Sequence, residues 1–107
     1  MTKKYKLTFT VPVTNADAVR QAIGEAGAGK LGNYSFCTFS TRGIGRFKPE
    51  QGANPTIGEV GKLEETEEEK VECQVGSEVL DAVLAALKKA HPYEEVAYDV
   101  WVLEDRK

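Results

Sequence analysis

Residues 5–11 read Tyr5-Lys6-Leu7-Thr8-Phe9-Thr10-Val11, and this stretch decides the fold. Apolar and polar side chains alternate with a period of two, which describes a strand with one dry face and one wet face. Pro12 closes it. The next stretch supplies a cover for the dry face. Val19, Ala22, Ile23 and Ala26 recur at helical spacing and form one apolar stripe. Thr14 or Asn15 stands ready to cap that helix, with Asp17 in its first turn. Gly27 and Gly29 stop it as a left-handed C-cap would.

The plan then repeats. Asn33 to Thr41 is rich in aromatic and β-branched residues and reads as a second strand. Residues 42–61 carry Gly43, Gly45, Gly52, Gly58 and Gly61 with Pro49 and Pro55, a long glycine-rich loop or irregular strand pair pinned by Ile44, Phe47 and Ile57. Glu64 to Glu69 is acidic and reads as a solvated face. Val71, Cys73 and Val75 alternate with Glu72 and Gln74 as a third strand. Ser77 is placed to cap a second helix, whose stripe is Leu80, Val83, Leu84 and Leu87 and whose stop is Pro92. Val96, Tyr98, Val100 and Val102 make the fourth strand, and the charged tail 104–107 reads as frayed.

The order β-α-β-β-α-β specifies an α+β, ferredoxin-like sandwich, a four-stranded antiparallel sheet with both helices on one face. The second and fourth strands then lie at the edges. Trp101 and Leu103 leave apolar groups on the far side of the fourth. Edges of that kind invite pairing, so a homo-oligomer is expected, with a long loop folded back over the edges as the alternative.

The 107 residues suit one domain, 1–107, that buries about two-thirds of its unfolded surface. A net charge of −3, from 14 basic and 17 acidic residues, speaks against a nucleic-acid partner. No apolar run is long enough for a membrane span, and Cys37 and Cys73 are too few for a disulfide scaffold. These features point to a cytoplasmic protein with reduced thiols.

Few residues carry chemistry. Gly27-Ala28-Gly29-Lys30-Leu31-Gly32 spells a dinucleotide fingerprint, but it follows a helix and precedes a strand, the reverse of what a phosphate needs. His91 is the sole histidine. With Glu94 and Glu95 nearby it has the elements of a metal or proton site, and a helix-end cap is the simpler reading. Cys37 and Cys73, placed in neighbouring strands, read as buried thiols, with a soft-metal pair or a redox couple as alternatives. Arg42, Arg46 and Lys48 bracket the glycine loop with groups that suit an anion.

Three stretches are distinctive together. They are Gly32-Asn33-Tyr34-Ser35-Phe36-Cys37, then Gly45-Arg46-Phe47-Lys48-Pro49 running on to Gly52-Ala53-Asn54-Pro55-Thr56-Ile57-Gly58, and His91-Pro92-Tyr93-Glu94-Glu95-Val96-Ala97-Tyr98-Asp99. On them the chain resembles the stand-alone YqfO-like proteins. It is similar to the domain inserted in the NGG-one-interacting-factor-three family, whose structural relatives are the CutA and PII signalling proteins. The resemblance implies assembly through sheet edges, with trimers in the CutA and PII relatives. It also implies that the di-metal centre of the larger family belongs to a flanking domain. Three expectations follow. The first is a non-catalytic binding or regulatory module, with Asn33, Tyr34, Arg46, Phe47 and His91 as ligand residues. The second is a CutA-like protein binding a divalent metal ion through Cys37, His91 and Glu94. The third is a hydrolase-type enzyme whose site is shared between subunits.

Overall fold

The computed structural model describes residues 3–104 and Arg106, so the expectation about the tail falls in part, at Asp105 and Lys107, outside the described residues. The elements are β1 (Lys4–Pro12), α1 (Val13–Glu25), β2 (Phe39–Phe47), β3 (Glu64–Gly76), α2 (Leu80–Ala90) and β4 (Tyr98–Leu103). They form one four-stranded sheet in the order β2-β3-β1-β4. Every neighbouring pair is antiparallel. This is the ferredoxin-like sandwich, with β2 and β4 at its edges.

The core follows from the alternation of β1. Leu7, Phe9 and Val11 face the helices and stand opposite Cys73, Val71 and Glu69 of β3. Val19 and Ile23 of α1 and Val83 and Leu87 of α2 close over them, all fully buried. At the margin Glu69 also faces this layer, where Arg20 of α1 pairs with its carboxylate and with Asp17, and donates to the Ser40 hydroxyl.

The helix starts differ from the sequence reading. α1 begins directly after Pro12, without a side-chain cap, so Thr14 and Asn15 lie inside its first turn. The fixed backbone angle of proline, φ −53° here, turns the strand straight into the helix. α2 starts at Leu80, three residues after Ser77, because the Ser77 amide is held by the Lys3 carbonyl and the Val79 amide by Gly76. Asp81 and Lys88 and Lys89 sit at the ends of α2 where its dipole favours them.

The hairpin also departs from expectation. β2 starts at Phe39, not Asn33. The segment before it is pinned as a compact turn: Leu31 and Tyr34 exchange both backbone hydrogen bonds, and the Cys37 amide donates to Gly29. Cys37 therefore precedes β2 and is not paired with Cys73. β3 is longer than expected, and the acidic run Glu64–Glu69 lies inside it. Cross-strand cations make that tolerable: Arg46 bonds Glu65 at 2.9 Å, and Arg42 stands opposite Glu69. β1 pairs with β3 only as far as Glu68, so beyond it the β2–β3 ribbon runs on alone and helps stretch the molecule to 49 Å.

Candidate functional site

The site lies where that ribbon leaves the sheet. Successive β3 residues alternate faces, so Glu68 points away from the helices, opposite Pro12 on one side and Gly43 on the other. It is only 6% exposed. Space for its carboxylate comes from Gly45, where a Cβ would sit 2.1 Å from Glu68 Oε1. Tyr93 donates its hydroxyl to Glu68 Oε2 at 3.0 Å. Burial, reinforced by this bond and by the charge of Glu68, pushes the Tyr93 phenol up to about 12. It therefore stays a donor at any physiological pH.

The turn carrying Tyr93 is locked from behind. His91 is buried, and its Nε2 lies 2.8 Å from the Thr10 carbonyl while its Nδ1 accepts the Tyr93 amide at 3.1 Å. A carbonyl can only accept and an amide can only donate, so the ring is the neutral tautomer with the proton on Nε2. Both nitrogens are committed to the backbone. The Tyr93 ring packs between His91 and Phe47, at centroid distances of 5.1 and 5.8 Å.

The connection from Lys48 to Leu63 folds onto this turn. The Asn54 amide donates to the Glu94 carboxylate at 3.1 Å, and the Thr56 hydroxyl donates to the Pro92 carbonyl at 2.8 Å. Pro49 is buried at the loop base, where its carbonyl accepts the Gly61 amide. Between loop, ribbon and turn lies a cleft of about 450 Å³. Its apolar walls are Phe47, Pro49, Pro55, Ile57 and Ala97, its inner end holds Glu68 and Tyr93, and Arg46, Lys48 and Glu95 also line it. A second hollow of about 230 Å³ lies on the other side of Glu68, toward Thr41 and Lys70.

Of the residues singled out from sequence, Arg46 and Phe47 line the cleft. Asn33 and Tyr34 do not; they are exposed on the turn before β2. His91 stands behind Tyr93 as a support. Glu94 lines the cleft but spends its carboxylate on Asn54. Cys37, His91 and Glu94 do not form a ligand set: among the described residues no group of three or more His, Cys, Asp or Glu gathers to hold a metal ion. The donor set in one protomer does not fit the implied metal. Sequence reasoning missed Glu68, hidden in an acidic run. Its signal was a glutamate opposite Gly43 and diagonal to Gly45 across the hairpin, where no side chain competes for the space.

The architecture defines a CutA-like class. The periplasmic divalent cation tolerance protein CutA from Archaeoglobus fulgidus superposes with a TM-score of 0.70 at 18% identity, over 97% of this chain and 87% of that one. At that identity the likeness concerns the fold. Sequence places the chain more closely. It is 54% identical over 99 residues to the GTP cyclohydrolase 1 type 2 homolog of Halalkalibacterium halodurans, covering 92% of this chain and 27% of that protein. The Bacillus subtilis protein of the same name matches at 52% over 99 residues, covering 92% of this chain and 26% of that protein. A Bacillus cereus protein related to NIF3 superposes with a TM-score of 0.84 at 45% identity, over 97% of this chain and 26% of that one. The chain is thus a homologue of the YqfO and NIF3 proteins over a CutA-like segment, and it spans about a quarter of the length of these relatives. No family model matches the chain. Among the described residues no helix is long and apolar enough to cross a membrane.

Proposed function

We propose that this chain is a non-catalytic binding module that works as a homo-oligomer and takes a small ligand in the cleft between the loop 48–63 and the turn 91–97. The observation that carries the reading is the construction of the cleft. Three segments distant in sequence are tied together by Glu68–Tyr93, Asn54–Glu94 and Thr56–Pro92 around a space of about 450 Å³. That volume and its mostly apolar lining suit a metabolite-sized ligand. Tyr93 is bonded to Glu68, Glu94 to the Asn54 amide and His91 to the backbone, so the walls offer recognition and no prepared nucleophile. Self-association is supported by the two open sheet edges and by Phe39 and Trp101, 68% and 51% exposed on the helix-free side. The cyclohydrolase named for the relatives is the name of proteins of which this chain spans about a quarter. A fragment library read by amide chemical shifts tests the reading. Hits should cluster their shifts on Phe47, Ile57 and Tyr93, and Ala53→Trp, which fills the cleft, should abolish them. Hits that map elsewhere, or that survive the filling, would refute it.

A further inference from the structure

Glu68 is a buried carboxylate without a cation. Among the described residues no Lys, Arg or His nitrogen lies within 4.0 Å of it, and its only hydrogen bond is to Oε2, from the neutral Tyr93 hydroxyl. Oε1 accepts nothing. Yet no wholly enclosed side-chain oxygen or nitrogen is left unpaired among the described residues. Oε1 is therefore in touch with open space, and Glu68, with Gly45 beside its Oε1, forms a wall of both the cleft and the smaller hollow. A carboxylate taken out of water is costly unless a charge answers it. The nearest candidate on its own strand face is Lys70, two residues along, which lines the smaller hollow and is exposed to solvent.

We infer that the cleft is selective for a small organic cation: an ammonium or guanidinium group that meets Glu68 Oε1, carried on an apolar body that fills the space toward Phe47, Pro55 and Ile57. The inference rests on the cleft being the ligand site and names the chemistry it selects. Three features agree. Gly45 keeps the approach to Oε1 free of any side chain at that position. The Phe47 and Tyr93 rings, 5.8 Å apart and tilted by 56°, place aromatic surface next to the cation. Glu95 adds negative charge to the lining. Arg46, which also lines the cleft, is engaged with Glu65 at 2.9 Å and is not free to claim Glu68.

The test compares three near-isosteres at pH 7: tryptamine, its neutral alcohol tryptophol, and indole-3-propionate. Amide shifts of the full chain give the affinity of each. Tryptamine should bind at least ten-fold tighter than tryptophol, with indole-3-propionate weakest, all three shifting Phe47, Ile57 and Tyr93. Glu68→Gln should bring tryptamine down to the level of tryptophol measured on the same variant, while Lys70→Met should leave the order intact. If tryptophol or the propionate binds as well as the amine in the unaltered chain, cation selectivity is wrong and the cleft stands. If none of the three shifts the cleft residues, both the selectivity and the cleft as ligand site are wrong. The three affinities of the unaltered chain decide the matter even if Glu68→Gln folds poorly.

Discussion

At the scale of single residues, the two strongest perturbations belong to acids that the fold keeps protonated. Cys73 of β3 is buried in the core beside Leu7 of β1, and desolvation pushes its thiol from an ordinary 9.0 up to about 11. Tyr93 is pushed from 10.0 up to about 12 by burial and by Glu68. In each case the folded-state pKa lies above the unfolded one, so the folded chain holds a proton that the unfolded chain releases. Their contribution is complete below about pH 9 and is lost as pH rises through 11 and 12. Urea unfolding should therefore show stability falling steeply above pH 9. Cys73→Val should remove the part between 9 and 11, of order 2–3 kcal/mol. A curve for the variant that overlays the parent would show that Cys73 is not the group responsible.

At the scale of elements, the β2–β3 ribbon separates the roles of the two glycines of β2. Gly43 has no atom within 4 Å of where a Cβ would be, whereas at Gly45 the Cβ would collide with Glu68. Gly43→Ala should thus be nearly neutral. Gly45→Ala should cost about 1–3 kcal/mol by forcing Glu68 off Tyr93, and in a Glu68→Ala background that cost should largely vanish. Equal costs with and without Glu68, measured by denaturant unfolding, would place the strain elsewhere. The same ribbon marks what could be read in the sequence. β1, both helical stripes and β4 were legible because their apolar period is regular. The place of β2 was not. Tyr34 and Phe36 look like strand residues, but Gly29 cannot accept a Cβ beside the Cys37 backbone, 2.6 Å away, and this close approach shapes the turn before β2. The length of β3 was hidden because five glutamates in seven residues suggest a solvated loop until Arg42 and Arg46 are seen across the ribbon. For the site, Arg46 and Phe47 were legible from their place beside the glycine loop. Glu68 was not, since its meaning depends on a register that only the paired strands define.

At the scale of the whole molecule, one end is a closed core and the other a projecting ribbon clasped to a loop and a turn. The open edges β2 and β4, with Phe39, Trp101 and Val102 exposed along them, are what a second copy would cover. A binding module built this way can couple assembly to ligand, because β2 contributes both an open edge and, through Phe47, a wall of the cleft. A crystal structure of the chain grown with its tightest-binding fragment measures both halves of this account at once. It should show copies joined along β2 or β4 and ligand density between Phe47, Ile57 and Tyr93. Isolated protomers with the fragment seated away from that cleft would contradict it.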